Sequence, residues 1–579
     1  MKVYWNCYRI FSFFMVILLS LLCRASGNLF PQVRCRFLFS PFEVLNGSSL
    51  SRGYQHTGFK YFRNYSREDY NLQPQNWFIL QDKENGFIYI ANQEGLLIYD
   101  GVSWQSIDIP NKSVRSLAID DTKTIYVGGR NEFGRLILDK KGSLTYESLR
   151  GYIENNNQIH FTNVWKIHPT KKAIYFHTSE FLFRWDPDSK KIETIDSNYP
   201  FNASFMCAGK LFIRQQNIGL REMVNGKLKT VPGGEKFANK AIFMMVPYDN
   251  TTKTFLIGTK FEGLYKYDYI KEKIAPFLTD VDDYIKAKQL SHGIRLLPSS
   301  TSPGEPGGFA LATHLGGLFI IDCKGRLKYK FNKTSGLQDN NINYVYEDVE
   351  GNLWLALNKG ISKIEYASPI SICDDRSGLT GLVLSVIKHH NDLYVGTTDG
   401  LFSLPSSSRG GFIPVPGIPG YCFSLLSIGD SLLAATFNGV FLVKPVVRRI
   451  IKSASYVLQQ SRKNKNRVWM ETNNGLNSLY FHPGNKNKIG KWVEEHHRFK
   501  GLTADIRTIV EEKNGDLWLG TLTKGVLKVE FPVNGTMADP VVTSYYTSHG
   551  LPEGEVHVFW AAGHVMFAAP GKGIFRFNK

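Results

Sequence analysis

Residues 344–366 read YVYEDVEGNLWLALNKGISKIEY, and this stretch decides the fold. An apolar strand runs into the turn Glu350-Gly351-Asn352, a second strand carries Trp354, and a loop ending in Gly360 opens a third strand. The same phrase returns at 506–529 as IRTIVEEKNGDLWLGTLTKGVLKV and at 77–99 as WFILQDKENGFIYIANQEGLLIY. Twelve copies are legible, starting near Trp77, Val114, Val164, Ser204, Ile242, Ile294, Ile342, Val383, Phe423, Tyr456, Ile506 and Val556. Within each, residues alternate with period two and are rich in β-branched and aromatic types, as strands require. Turn residues separate the first two strands. A weaker fourth strand follows in several copies, such as Trp104–Ile109, and helical periodicity is nearly absent.

Four antiparallel strands in roughly 40 residues, repeated in tandem, describe the blades of a β-propeller. One blade cannot bury both faces alone and needs neighbours. The second-strand aromatics Tyr89, Tyr126, Tyr175, Trp354, Tyr394, Trp469 and Trp518 recur at one position, which marks them as packing residues between blades. Rings rarely exceed eight blades, so twelve copies imply two. The expected fold is therefore all-β: two tandem β-propellers built of four-stranded antiparallel blades. A change of dialect after ASPISICDDRSGLT (367–380) sets the seam. The first ring, about seven-bladed, is expected over 59–370, and the second, with about five blades or incomplete, over 371–579.

Composition fits this picture. The chain has 579 residues, 43% of them hydrophobic, and a net charge of +18 spread without an extended basic block, so nothing points to nucleic acid. Lys2 and Arg9, the apolar run Phe11–Leu22 and the small residues Ala25-Ser26-Gly27 read as an export signal over 1–27. A lead-in segment without repeats is expected over 28–58. Five widely spaced cysteines remain after it, an odd number that builds no disulfide framework.

The phrase strand–D-x-x-G–[IL]-[WY]-[ILV]-[GA]-T–x-x-G-[LV], repeated behind a signal peptide, resembles the two-component regulator propeller repeat. The opening NYSREDYNLQPQNWFILQDKENGFIYIANQEGLLIYDGVSW is especially similar to the first blade of that group. The resemblance covers about 59–577. It implies the periplasmic sensor region of Bacteroidetes-type regulators, either hybrid two-component systems or triple-tyrosine-motif transcriptional regulators. In such proteins two seven-bladed rings precede a small sandwich, a membrane helix and an output module. This chain carries none of those C-terminal modules and reads as truncated before them. A periplasmic location, and a homodimer or a membrane-bound signalling partner, follow from the resemblance only.

No nucleophile elbow, zincin motif, P-loop or dinucleotide fingerprint is present, so no catalytic residue is assigned and no enzyme activity is expected. No cofactor or metal is expected either. The pairs His389-His390 and His496-His497 sit on strands, where neighbours point to opposite faces and cannot chelate together. A ligand is expected where the loops between second and third strands and those entering each blade ring a channel mouth. The candidates are Arg130, Asn131, Glu132 and Phe133 in the loop GGRNEFGRL, then His177, Glu180, Lys260, Glu262, His314, Asn358 and Lys359. Amides, charges and aromatic platforms suit a small-molecule or oligosaccharide ligand. The leading reading is a sensor that binds a glycan-derived ligand. The alternatives are a propeller-fold polysaccharide lyase or hydrolase, or a protein-interaction scaffold.

Overall fold

The structure, a computed structural model, describes residues 58–577 and a two-residue strand at 38–39, leaving out 155–158, 250–252, 299–306, 408–410, 485–489, 496–498, 500–501 and 533–538. The stretch expected to be an export signal, nearly all of the expected lead-in and His496-His497 thus lie outside the described residues. The fold is the expected one: successive four-stranded antiparallel sheets. They divide into two compact units, which meet in sequence at residues 371–372.

The first unit holds seven sheets. Six follow in order at 76–107, 114–148, 166–196, 201–230, 242–277 and 290–331. The seventh takes three strands from 342–364, and its outermost strand is Phe62–Tyr65, which pairs with Ile361–Ile364. The stretch whose sequence resembles the opening of a first blade therefore begins by completing the last one. The innermost strand of each sheet neighbours that of the next, and the seventh neighbours the first, so the ring is closed. Tyr65 carries the clasp inward: its ring is parallel to Trp354 with centroids 5.9 Å apart, and meets Tyr99 and Trp104 edge-on.

Each letter of the repeat has a physical task. Asp348 accepts hydrogen bonds from the N–H groups of Glu350 and Asn352, closing the first hairpin. Its other oxygen accepts from Trp354 Nε1 at 2.9 Å, which fixes the indole between blades. The Thr that ends the second strand is buried and turns the chain. In the fifth blade Thr259 Oγ1 donates to Gly263 O and accepts from Glu262 N; Thr313, Thr436 and Thr521 repeat the bond to a glycine carbonyl. The glycine opening the third strand sits where the fourth strand returns. Gly317 has φ +86°, and a Cβ there would collide with Phe331 O.

Apolar clusters lie between successive blades. One joins Tyr126 and Phe133 to Phe176, Phe183 and Trp185 across the second and third blades; another joins Leu318 and Ile320 to Leu353 and Leu355 across the sixth and seventh. The second unit holds four four-stranded sheets at 383–419, 422–451, 458–494 and 506–545, and a three-stranded one at 557–576. Its clusters also join neighbours in order. Among the described residues, no helix is long and apolar enough to cross a membrane.

Candidate functional site

At one end of the first ring, the turns between second and third strands meet the segments entering each blade. Backbone bonds tie them together: Gln93 N donates to Gln75 O, Arg130 N to Ser113 O, Lys260 N to Ala241 O, His314 N to Gln289 O and Asn358 N to Asn341 O. Both loop sets therefore share one mouth. The next residue inward is set by a β-bulge at the start of the inner strand, for example between Asn76 and Phe78, Val114 and Ser116, and Ile242 and Met244. A bulge re-aims the extra side chain. Here the extra residues are Trp77, Arg115 and Phe243.

The first three blades bring Trp77, Arg115 and Trp165 together. Arg115 Cζ lies 4.1 Å from the Trp77 ring centre and 6.0 Å from that of Trp165, and the two indoles stand edge to face at 6.1 Å. Arg115 Nη1 donates to Gln93 Oε1 at 2.7 Å and Nε donates to Asn163 Oδ1 at 3.1 Å. Trp77 Nε1 donates to the same Gln93 oxygen. Burial first, and the neighbouring Arg130 second, pull the Arg115 pKa down to about 10, so it remains a cation at neutral pH. Both indoles keep part of their surface exposed. A fixed guanidinium, two amides and two indoles set edge to face form an amphipathic surface at the mouth.

The loop GGRNEFGRL divides sharply. Arg130 is exposed and bridges Asn163 through its backbone. Asn131 adopts φ 51° and receives Phe161 N on its side-chain oxygen. Glu132 is 5% exposed and accepts from Tyr146, Ser148 and the Phe133 N–H, so it pairs with these and not with Arg130. Phe133 is fully buried, stacked on Phe176 at 4.3 Å, and has no surface to offer a ligand. His177 is also fully buried, with Nε2 against Phe201 O. Glu180 accepts from Thr162 N at the rim.

A second part of the same rim gathers the rest. Lys260 Nζ lies 5.8 Å from the Phe243 ring centre and 5.1 Å from that of Phe261, which is half exposed. His314 Nδ1 bonds Asn341 Oδ1 at 3.1 Å, and burial holds its pKa below the usual imidazole value. Asn358 Oδ1 accepts from Gln75 Nε2 at 2.6 Å. Glu262 and Lys359 are exposed. The site thus draws on residues that the repeat pattern marks only as a strand start (Trp77) or passes over (Arg115, Asn163, Trp165). The signal is an aromatic or arginine recurring at the second position of the inner strand, in Trp77, Arg115, Phe243, Phe423 and Arg507, while Trp165 lies just ahead of its strand.

The second unit repeats this signal. Arg507 Cζ sits 3.8 Å from the Tyr456 ring centre, and Tyr456 meets Phe423 at 4.4 Å. Beneath them Glu471 accepts from Tyr456 N, and burial raises its carboxyl pKa to about 7. His389 and His390 bond separate partners, Ser427 and Asp430, and among the described residues no His, Cys, Asp and Glu cluster could hold a metal.

The family model described as "Two component regulator propeller" matches residues 336–359. No curated protein matches the chain. Among solved structures, the chain is similar to the extracellular domain of BT3049 from B. thetaiotaomicron, described as a candidate hybrid two component system. The identity is 15% and the TM-score 0.66, over 90% of this chain and 73% of that one. The extracellular domain of BT4673 from the same organism is 18% identical at a TM-score of 0.42, over 90% and 74%. A streptogramin B lyase is 13% identical at 0.39, over 54% and 98%. These last two superpose too loosely to bear on the fold. The two-component regulator propeller resemblance read from the repeats is supported by the family model, and the tandem-propeller fold by the BT3049 domain.

Proposed function

We propose that this chain is the ligand-sensing region of a two-component-type regulator, acting outside the cytoplasm without catalysing a reaction, and that the mouth of its first ring binds an oligosaccharide. The observation that carries this reading is the Arg115 guanidinium held beside Trp77 and Trp165 between the amides of Gln93 and Asn163. Indole faces stack on the C–H faces of sugar rings, while amides and a fixed cation supply hydrogen bonds to hydroxyl groups. Lys260, Glu262, His314, Asn358, Lys359 and Arg130 extend the rim to either side. A site assembled from several blades responds to a ligand as a whole, which suits a sensor that reports occupancy to a membrane-bound partner or across a homodimer.

The test is a thermal-shift and tryptophan-fluorescence screen of residues 28–579 against defined neutral and acidic oligosaccharides. A binder raises the melting temperature by mass action, and ligand on Trp77 or Trp165 changes indole emission. Trp165→Ala is expected to remove both responses while the protein stays folded. A selective shift that survives Trp165→Ala would place the ligand elsewhere. Turnover of any oligosaccharide by the pure protein would replace the sensor reading with an enzymatic one.

A further inference from the structure

Deeper in the first ring the inner strands place four unlike side chains against each other. Lys166 comes from the third blade, Phe78 from the first, His292 from the sixth and Tyr344 from the seventh. Blades six, seven and one are consecutive, whereas blade three borders none of them. Lys166 nonetheless lies with Nζ 4.5 Å from the Tyr344 ring centre and 4.8 Å from that of Phe78. Its side chain therefore crosses the channel. Tyr344 stacks on Phe78 at 4.0 Å, and His292 lies on its ring at 3.9 Å.

The polar atoms of this cluster are short of partners. Among the described residues Lys166 Nζ has neither an ion pair nor a hydrogen bond, and its environment is aromatic. His292 Nδ1 accepts from Val345 N, which puts the ring proton on Nε2, and among the described residues that proton has no acceptor. Among the described residues the Tyr344 hydroxyl has no partner either. Lys166, His292 and Tyr344 each keep part of their surface accessible, so the channel reaches them. The other titratable neighbours are His168 and His177, on the blade that carries Lys166, and no carboxylate contributes to the electrostatics of the amine. Burial without a counter-charge brings the Lys166 pKa down to about 7, and the three histidines are held below their usual value. Three donor-bearing side chains thus pack together, and among the described residues nothing accepts from them.

We propose that the channel of the first ring contains an oxyanion-binding site in which Lys166 Nζ, His292 Nε2 and the Tyr344 hydroxyl donate to one carboxylate, sulfate or phosphate group. Phe78 and Tyr344 flank the amine with apolar ring surface, which strengthens the charge-assisted bonds. The anion is either a free ion or an acidic group on a larger ligand seated at the mouth above. This site does not require the rim to bind sugar, and a neutral oligosaccharide would engage the rim without it.

The experiment titrates residues 28–579 with sodium sulfate, sodium phosphate, glucuronate and neutral glucose at constant ionic strength, reading heat and melting temperature. Sulfate stabilises most proteins by exclusion, so the decisive quantity is a saturable response that depends on the cluster. Lys166→Met keeps the stem and removes the amine, and is expected to weaken anion binding roughly tenfold or more, in line with a lost charge-assisted bond. Tyr344→Phe keeps the stack, and is expected to weaken it by several-fold. Equal saturation by sulfate or phosphate and by glucuronate would identify a free ion as occupant. Tighter binding of glucuronate alone would identify an acidic group carried by a sugar. The proposal is overturned if none of the three anions saturates, or if their response is the same in Lys166→Met. Should Lys166→Met fail to fold, an unchanged response in Tyr344→Phe overturns it as well. Loss of neutral oligosaccharide binding in Trp165→Ala leaves this result unaffected, so the two readings fail separately.

Discussion

Asp348 shows how much one residue of the repeat holds, and Glu512 shows what its loss leaves behind. Asp348 closes its hairpin and accepts from the indole of Trp354 six residues on. At the matching position before Trp518 the chain has Glu512, and Trp518 Nε1 is buried with no acceptor among the described residues. A buried donor left unpaired costs about 1–3 kcal/mol. Glu512→Asp is therefore expected to stabilise the protein by about 1 kcal/mol in denaturant melts, whereas Asp348→Asn should destabilise it by a similar amount or more. Glu471 offers a test in pH. Its folded pKa of about 7 lies above the ordinary carboxyl value, so its contribution is fully present below about pH 4.5 and is lost as pH rises through 7. With Arg507 and Asp505 as its charged neighbours, Glu471→Gln should flatten stability across that window and gain up to about 3 kcal/mol over the parent above pH 7. Residues doing such structural work are legible because they recur. Lys166 and His292 are not, since each occurs once, in a strand where the repeat leads one to expect an apolar side chain. Ser291 and His292 even conceal where the sixth blade begins: the apolar pattern points to Ile294, while the strand starts at Leu290.

At the scale of elements, the strand order within a blade follows from alternation and turn chemistry, and both are visible in the sequence. The bulges are not visible, because an extra residue shifts the register by one without changing composition. That is why the rim loops could be anticipated from the repeat while Arg115 and Phe243 could not, and Phe133 looked available although its strand turns it into the core. The glycine opening the third strand is the firmest constraint at this scale. Gly317→Ala would force a Cβ against Phe331 O at a positive φ and is expected to cost about 2–4 kcal/mol. Gly142→Ala, at φ +79° with open space around it, should cost only about 1 kcal/mol. Chemical melts of the two variants side by side would separate steric collision from backbone strain.

At the scale of the whole molecule, twelve copies and a change of dialect were enough to read tandem rings, whereas the closure of the first ring was hidden. The strand that completes it, Phe62–Tyr65, precedes the first recognisable copy and is too short to show a pattern. Tyr65→Ala removes the ring that touches Trp354, Tyr99 and Trp104, and a loss of about 3–5 kcal/mol is expected. Limited proteolysis should then cut between residues 58 and 75 at protease levels that leave the parent intact.

This clasp also imposes a timetable. Ser362 Oγ donates to Asn64 Oδ1 across 298 positions of sequence, so the strand made first has no partner until nearly the entire ring has left the ribosome. At about 5–20 residues per second that wait lasts roughly 15–60 s. Throughout it, the nascent ring exposes an unpaired sheet edge of the kind that recruits foreign strands. The last-formed blade then captures a segment synthesised long before it, and a pull on the amino terminus would peel that four-residue strand away ahead of any other part of the ring.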